Sequence, residues 1–331
     1  MQTRNLGPFV VSAVGLGCMN LSHAYGTPPA AKVAAKLLHR GLDLGYSHLD
    51  TAALYGFGSN ESLLGDALRG RRGEFVLASK CGMFKNAAGV REINGRPGIL
   101  KKTCEESLRR LRTEIIDLYY LHRWDRRVPI EESVGALSEL VTEGKIKSIG
   151  LSEVSSDTLR KAHAEHPIAA LQSEYSLWTR NPEIKVLETC RELGVTLVAF
   201  SPLARAFLTG KLRDPSTLES GDLRRNMPRF EPANYSANLK LLDGVAAIAE
   251  QVGCSMAQLA LAWVMAKGED IIPIPGTTNL AHLVENAQSV DVELDAALLA
   301  RLDAMINQHT VQGARYNAAT EEEIDTEKFG D

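Results

Sequence analysis

Short β-rich runs alternate with amphipathic stretches along almost the whole chain, and this alternation constrains the fold most. Eight runs have the character of strands: SAVGLG, SHLD, EFVLASK, IIDLYYLH, IKSIGLS, AALQSEY, VTLVAFSP and DIIPIPG. Most of them are apolar throughout, as expected of strands that are covered on both faces. Seven amphipathic stretches lie between them, the last being ANLKLLDGVAAIAEQVG, and several end in glycine, as helices commonly do.

The regular alternation predicts an α/β fold, a (β/α)8 TIM barrel. A doubly wound parallel sheet is the alternative, but its G-x-G-x-x-G signature is absent, because GLGCMN lacks the last glycine. At the N-terminus, QTRNLGPFVVSAVG predicts a β-hairpin around Gly7 and Pro8 that plugs the bottom of the barrel. We also expect an extra helix near the C-terminus.

Length and composition fit one domain that spans residues 1–331. The chain is 44% hydrophobic and 24% charged, and barrels of this size form a single domain. The turn-rich stretch from Ala204 to Ala237 is too long for an ordinary connection, so a functional role such as a lid is predicted. The acidic end of the chain, residues 310–331, is predicted to be a solvated tail.

Charge, cysteine content and hydropathy narrow the functional class. The net charge is −4 with both signs interspersed, which argues against a nucleic-acid-binding stripe. Five scattered cysteines form no C-x-x-C pair, which favours a reducing compartment and therefore a cytoplasmic location. No signal-peptide pattern is present, and no apolar run approaches the roughly 18 residues of a membrane span.

Four ionisable residues stand at the ends of three consecutive predicted strands. Asp50 ends the second strand, and Tyr55 lies just beyond it. Lys80 ends the third strand and His122 the fourth. Each has a plain structural interpretation, as a cap, a packing residue or a lysine that extends to solvent. Catalytic residues of such barrels lie at the carboxyl ends of the strands, however, so these four side chains are expected to converge.

The chemistry of this set suits carbonyl reduction. A lysine ammonium about 4 Å from a phenol favours the phenolate and could lower the tyrosine pKa by up to about three units. Tyr55 would then donate a proton near neutral pH, and Asp50 would keep Lys80 charged. His122 would orient the carbonyl oxygen by hydrogen bonding. The four residues would thus protonate a carbonyl oxygen as a hydride reaches its carbon.

From about Thr3 to about Asn307, the chain resembles an aldo-keto reductase. GYSHLDTAALYG resembles the family signature G-x-x-x-x-D-T-A-x-x-Y-G, and the four strand-end residues match the family's catalytic tetrad. Further matches follow in order: ASKCG, DLYYLHRWD, GKIKSIGLSE, QSEYSLWTR and VAFSPLARAFLTGK. The sequences of these motifs are most similar to those of the microbial short-loop branch that acts on aldehydes and ketones. The resemblance implies NADPH, with NADH as the alternative, and direct hydride transfer without metal or flavin.

The resemblance also implies a set of cofactor contacts. The nicotinamide would lie at Ser152 and Gln172, near Tyr175. The pyrophosphate and adenosine would contact Ser201, Leu203, Arg205, Gly276, Thr277, Thr278, His282, Glu285 and Asn286. Many relatives carry lysine and arginine where this chain has Gly276 and His282, so two fixed charges are missing from the clamp on the 2′-phosphate. NADPH remains the expected cofactor.

Other departures from the family pattern fall close to this set. The family's Ser-Asn pair is Ser152 and Glu153 here, and a carboxylate cannot donate a hydrogen bond to the nicotinamide carboxamide. Glycines that often flank the pyrophosphate arginine are replaced by Ala204 and Ala206. We therefore expect an altered carboxamide contact and a less close approach of backbone to pyrophosphate.

Substrate contacts are expected from the loops that follow the strands. The candidates are Met19, Tyr25, Phe84, Trp124 and Trp178. Aromatic residues there favour an apolar or ring-shaped substrate, and no cationic cluster indicates an acidic one. Arg123 and Asp125 are expected to pair with each other or with neighbours.

The expected function is NAD(P)H-dependent reduction of an aldehyde or ketone to an alcohol. Three alternatives remain open: oxidation of an alcohol or sugar by the same enzyme, a nucleotide-sensing regulatory subunit, and an aldolase with Lys80 as its Schiff-base lysine. The expected partner is a small carbonyl or alcohol, and no coiled-coil pattern fixes an oligomeric state.

Overall fold

The computed structural model describes residues 1–22, 24–86 and 89–330. The strands in these residues are β1 (Thr3–Leu6), β2 (Phe9–Ser12), β3 (Leu16–Gly17), β4 (His48–Asp50), β5 (Val76–Cys81), β6 (Met83–Lys85), β7 (Arg91–Ile93), β8 (Ile116–Leu121), β9 (Ile146–Ser152), β10 (Ile168–Glu174), β11 (Thr196–Phe200) and β12 (Ile271–Pro273). The helices are α1 (Ala31–Asp43), α2 (Ser59–Leu68), α3 (Pro97–Leu111), α4 (Ile130–Thr142), α5 (Ser156–Glu165), α6 (Val186–Leu193), α7 (Pro232–Leu239), α8 (Leu241–Val252), α9 (Met256–Ala266), α10 (Leu280–Ala287), α11 (Ala296–Met305) and α12 (Ala318–Glu321).

Eight parallel strands form the central sheet, in the order β12-β11-β10-β9-β8-β5-β4-β3. Its two edges meet, because the Gly15 N–H donates to the Pro273 carbonyl at 2.9 Å and the Gly17 N–H to the Pro275 carbonyl at 3.2 Å. All eight predicted strands are found, in chain order. The prediction of an α/β barrel is confirmed.

The barrel strands are buried on both faces, as their apolar sequences predicted. Every residue of β8 is buried, and β5, β9 and β10 each have a single residue that is not. Strands covered by helices outside and by packed side chains inside need no polar face, so their hydrophobicity does not alternate.

An N-terminal hairpin closes the bottom of the barrel, as predicted. Strands β1 and β2 pair in antiparallel fashion, and Leu6 and Val11 pack with the interior residues Leu118 and Tyr120. At the turn, Gly7 has φ 54°, and a Cβ there would lie 2.6 Å from the Ala169 Cβ. Both the backbone conformation and the space therefore require glycine at this position.

The segment from Ala204 to Ala237 is built from short 3-10 turns and most of α7. An aromatic cluster attaches it to the barrel. Trp178 stacks on Phe207 with ring centroids 4.1 Å apart, and Phe230 and Tyr235 complete the cluster. The segment lines the site described below, while a role as a moving lid stays a prediction.

The C-terminal region differs from the predicted solvated tail. The extra helix expected there is present as α11, and a short α12 follows it. Beyond α11, however, Arg315, Tyr316 and Ile324 are buried, and Asp325 accepts a hydrogen bond from the Ser155 hydroxyl at 2.9 Å. Asp325 and Glu327 of this segment bind the barrel, because hydrogen-bond donors at the start of α5 face them.

None of the helices in the described parts of the chain is long and apolar enough to cross a membrane. The segments Pro232–Val252 and Met256–Ala266 reach that length and composition only together, across a bend of 87°.

Candidate active site

A cavity of about 670 Å³ opens at the carboxyl ends of the barrel strands. Three of the four strand-end candidates, Asp50, Tyr55 and His122, line it. Lys80 lies directly behind them and is fully buried. The cavity is within the size range of ligand sites. It lies at the carboxyl end of the barrel strands, which is where the active sites of such barrels occur.

Lys80 contacts two other members of the predicted set, Asp50 and Tyr55. Its ammonium contacts the Asp50 carboxylate, donates to the Thr51 carbonyl at 2.8 Å and lies 3.2 Å from the Tyr55 hydroxyl. The other Asp50 oxygen accepts a hydrogen bond from the Gln172 side chain at 2.8 Å. These contacts fix the ammonium against the phenol, as the strand-end pattern predicted.

Tyr55 reaches this position through a tight turn after β4. The next residue, Gly56, has φ 55°, and a Cβ there would lie 2.1 Å from the Ser59 hydroxyl oxygen. The Tyr55 ring meets the His122 ring edge to face, with centroids 5.8 Å apart. The structure therefore brings all four candidates together, three at the cavity surface and one beneath it.

Burial changes the acidity expected for Tyr55. Burial raises the pKa of the phenol more than the nearby Lys80 lowers it, so the pKa lies above its ordinary value. The predicted net decrease is therefore wrong for the protein alone, because the sequence argument weighed the lysine charge without the loss of solvent. Burial alone would lower the pKa of Lys80, but Asp50 and Tyr55 raise it overall, so the ammonium stays charged. A protonated phenol beside a fixed cation is the arrangement that a proton donor requires.

A buried histidine below this set makes the stability of the fold dependent on pH. Burial lowers the pKa of His48 to about 4, and neither ring nitrogen has a hydrogen-bond partner among the described residues. Below pH 6.5 the unfolded chain binds a proton that the folded chain does not, so stability is lost as the pH falls from 6.5 towards 4.

We expect His48 to account for about 3 kcal/mol of the stability lost between pH 7 and pH 4. Urea unfolding of the wild type and a His48→Leu variant at several pH values measures this contribution. The loss on acidification should be smaller in the variant by about that amount. Parallel profiles would show that His48 takes up its proton as readily in the folded protein as in the unfolded chain, so that its burial does not shift its pKa.

Most of the predicted cofactor residues line the cavity. Ten of the twelve do so: Ser152, Gln172, Ser201, Leu203, Arg205, Gly276, Thr277, His282, Glu285 and Asn286. Tyr175 does not, because its ring is fully buried against Trp263 and its hydroxyl donates to Glu183 at 2.6 Å. Thr278 is exposed just before α10 and lies outside the lining.

The end of the cavity that is predicted to hold the adenosine explains one departure from the family pattern. A Cβ at Gly276 would lie 2.9 Å from the Gly17 carbonyl oxygen and 2.2 Å from the Asn20 side-chain oxygen, so a lysine does not fit there. A cation comes instead from the long segment after β11. The Lys211 ammonium lies 3.1 Å from His282 Nε2, and both residues line the cavity.

Glu153, the residue that replaces the family's asparagine, is held away from the cavity. Its carboxylate forms an ion pair with Arg315 from the C-terminal segment and accepts a hydrogen bond from the Glu174 backbone at 2.8 Å. Arg315 also contacts the Glu174 carboxylate at 3.1 Å. Glu153 is therefore part of a buried charge network, and it is absent from the cavity lining.

The same network holds the turn after β11. Ala204, Arg205 and Ala206 all have positive φ angles, of 49°, 56° and 75°, which cost an L-residue about 1–2 kcal/mol each. The Arg205 guanidinium donates to Glu174 at 3.0 Å and to the Tyr316 hydroxyl at 3.1 Å. Arg205 thus anchors the turn through the charge network in addition to lining the cavity.

The predicted substrate residues divide into two groups. Met19 and Tyr25 line the cavity. Phe84 lies on β6, where alternation turns Met83 towards the cavity in its place. The Trp124 indole donates to the Val128 carbonyl at 2.9 Å and packs on the core, while Trp178 belongs to the aromatic cluster under the long segment. Phe84, Trp124 and Trp178 therefore lie outside the described lining, and the two tryptophan rings pack into the protein instead.

Several lining residues were missed by the sequence reasoning. They are Asn20, Met83, Arg91, Phe200, Lys211, Arg224, Met227, Tyr316 and Glu323, and Arg123 lines the cavity instead of pairing with Asp125. Phe200 and Lys211 both stand within VAFSPLARAFLTGK, so that motif could have indicated them. Nothing in the local sequence indicates Tyr316 or Glu323, which reach the cavity only through the path of the C-terminal segment.

Comparison with known proteins agrees with this geometry. The aldo/keto reductase family matches residues 13–307. The chain is 41% identical over 320 residues to the NADP(+) aldo-keto reductase yakc of Schizosaccharomyces pombe, covering 95% of this chain and 94% of that protein. The glycerol dehydrogenase structure from Gluconobacter oxydans superposes with a TM-score of 0.86 at 28% identity, covering 94% of this chain and 97% of that one. The structure of a Klebsiella pneumoniae aldo/keto reductase in complex with NADP and acetate superposes with a TM-score of 0.73 at 29% identity, covering 95% of this chain and 98% of that one. The chain therefore belongs to the aldo/keto reductase family.

Proposed function

We propose that this protein is an NADP-dependent enzyme that reduces an aldehyde or ketone to an alcohol. One observation carries the proposal: a single buried ammonium, Lys80, contacts both the Asp50 carboxylate and the Tyr55 hydroxyl at the wall of the cavity. A phenol with a fixed cation behind it and an open cavity in front is placed to protonate a carbonyl oxygen.

The proposed mechanism assigns a role to each side chain. Bound NADPH supplies the hydride. Tyr55 donates the proton of its hydroxyl to the carbonyl oxygen, and Lys80 stabilises the resulting phenolate. Asp50 holds Lys80 in place and charged, and His122, whose ring meets Tyr55, orients the carbonyl oxygen.

The residues at the far end of the cavity fit a dinucleotide that carries a 2′-phosphate. Lys211 and His282 present nitrogen atoms 3.1 Å apart at the lining, and Glu285 and Asn286 lie beside them as candidate contacts of the adenine. The Schizosaccharomyces pombe relative carries NADP(+) in its name, and the Klebsiella structure contains NADP. These observations support NADPH, with Lys211 supplying a charge that the sequence reasoning took to be missing.

A Lys211→Met variant should raise the KM for NADPH about tenfold, because one charged contact to the 2′-phosphate is lost. Initial rates with both nucleotides measure the effect. The KM for NADH, which lacks that phosphate, serves as the internal control and should stay unchanged. An equal rise for both nucleotides would place Lys211 elsewhere on the cofactor.

Oxidation of an alcohol is the second candidate, and a specific observation favours it. The Gluconobacter structure, with its TM-score of 0.86, is a glycerol dehydrogenase. The four catalytic candidates serve either direction, because Tyr55 can accept the proton that it would otherwise donate. Cofactor ratio and substrate supply decide the direction.

The geometry argues against a Schiff-base aldolase. A nucleophilic lysine must be neutral, whereas the contacts with Asp50 and Tyr55 raise the pKa of Lys80 above its ordinary value. A nucleotide-sensing subunit would need the nucleotide site alone, and the aligned Tyr55 and Lys80 would then have no role.

We also assign the chain to the microbial short-loop branch of the family. Its five cysteines are free thiols, which supports a reducing compartment.

A panel of aldehydes, ketones and alcohols with both nucleotides, followed by the absorbance of reduced cofactor, tests the proposal. We expect NADPH oxidation with some carbonyl compounds and NADP⁺ reduction with the matching alcohols. Tight nucleotide binding without turnover of any compound would favour the sensing subunit instead.

A further inference from the structure

One arginine at the catalytic end of the cavity has no counter-ion in the described structure. Arg123 follows His122 at the end of β8 and lines the cavity. Its Nη1 donates to the His122 carbonyl at 2.6 Å and to the Ser152 hydroxyl at 3.1 Å. No carboxylate of the described residues lies within ion-pair distance, and its Nε is buried without a partner.

The other arginines of the cavity lining are all neutralised. Arg91 pairs with Glu323, Arg205 with Glu174 and Arg224 with Asp222. Asp125, the acid nearest to Arg123 in sequence, pairs with Arg127 instead. Arg123 thus differs from its neighbours, because a half-buried guanidinium without a carboxylate keeps unused donors and an uncompensated charge.

The position of this charge indicates which ligand could use it. Arg123 is close enough to Tyr55 to lower the pKa of the phenol by its charge, and it touches Ser152, the candidate contact of the neutral nicotinamide carboxamide. The phosphates of the cofactor are assigned to the turn after β11 and to Lys211. At the reacting end, only the substrate can bring an anion.

We propose that Arg123 binds a carboxylate of the substrate, so that the substrates of this enzyme are oxo acids, aldehydes or ketones with a carboxylate within a few carbons of the reacting carbonyl. The inference rests on the proposed function for the position of the carbonyl at Tyr55. Planar guanidinium donors suit a carboxylate, and the only catalytic carboxylate nearby, Asp50, is already neutralised by Lys80. The absence of a cationic cluster in the sequence argued against acidic substrates. A single arginine at the reacting end is enough to bind one carboxylate, so that argument does not exclude oxo acids.

The test compares 4-oxobutanoate with butanal, which differ by the carboxylate, using NADPH as cofactor. The wild type should favour 4-oxobutanoate in kcat/KM, and Arg123→Met should lower the ratio of kcat/KM for 4-oxobutanoate to that for butanal about 10- to 100-fold. Any effect of the lost charge on Tyr55 is common to both substrates and cancels in this ratio. Arg91→Met is the matched control, because that arginine also lines the cavity but is paired, and it should leave the ratio unchanged. Equal losses for both substrates in Arg123→Met would overturn the proposal and assign Arg123 to Ser152 and the nicotinamide.

Binding separates this inference from the proposed function. Calorimetry of 4-hydroxybutanoate and butan-1-ol with the NADPH complex requires no turnover, since alcohol and reduced cofactor cannot react. We expect 4-hydroxybutanoate to bind more tightly than butan-1-ol, and Arg123→Met to remove the difference. A wild type that binds both alike refutes the carboxylate site whether or not the enzyme reduces carbonyls, whereas selective binding without turnover refutes only the reductase.

Discussion

Tyr55→Phe should lower kcat/KM for carbonyl reduction by about 10²- to 10⁴-fold, the usual contribution of a positioned proton donor. The variant loses only the hydroxyl that lies 3.2 Å from the Lys80 ammonium, and the ring can keep its contact with His122. Affinity for NADPH should stay within a few-fold of the wild type. Steady-state rates, together with fluorescence titration of NADPH, measure the two quantities separately.

The chain offers a matched control for this change in Tyr175. Both residues are buried tyrosines with a hydrogen-bonded hydroxyl, but Tyr175 donates to Glu183 and lies outside the cavity lining. Tyr175→Phe should cost about 1 kcal/mol of stability and leave kcat unchanged. If Tyr55→Phe retained more than a tenth of the wild-type kcat/KM, another group would be the proton donor.

The fold was predictable because its strongest signals are local. A parallel barrel strand is apolar on both faces, so each of the eight strands is visible as a short continuous run. Helix α9 was not predicted, because it too is apolar on nearly all sides. All but three of its residues are buried, so MAQLALAWVMA has no polar face to produce a helical period. Its start was marked by a capping box, in which Ser255 and Gln258 satisfy each other's backbone N–H groups.

The candidate site was predictable in its centre and less so at its rim. Asp50, Lys80 and His122 are placed by strands, and the barrel topology brings strand ends together whatever the loops do. Phe84 and Trp178 were assigned to the substrate because aromatic residues follow strands, but loop paths decide where such rings point. One residue of strand alternation separates Phe84 from Met83, and sequence spacing alone cannot fix that register.

The C-terminal segment shows what sequence reasoning could not reach. Arg315 lies 162 residues from Glu153 and 141 from Glu174, so no local pattern links the three. Burial would raise the pKa of Glu174, but Arg205 and Arg315 together lower it to about 2. The ions of this network also hold Arg205, and with it the left-handed turn that lines the predicted cofactor end of the cavity.

Arg315→Met should therefore lower the free energy of unfolding by about 3–5 kcal/mol, the usual effect of leaving a buried charge without its partner. Glu153 loses its only ion partner among the described residues, and Glu174 keeps Arg205 alone. Urea unfolding at pH 7 measures the change. The surface variant Arg71→Met is the control, because its pairs with Asp43 and Glu74 are partly exposed and contribute at most about 1 kcal/mol.

Acidification and a second substitution test whether charge, and not lost packing, causes this effect. In the wild type, the stability that the ionised Glu174 contributes is present above the unfolded pKa of 4.5 and is lost as the pH falls towards 2. Without Arg315 the Glu174 carboxyl group protonates more readily, so the difference in stability between variant and wild type should shrink from pH 7 to pH 4. Adding Glu153→Gln to Arg315→Met should restore part of the lost stability, because it removes the stranded charge. A difference that is the same at both pH values, with no recovery in the double variant, would assign the effect to packing of the arginine side chain.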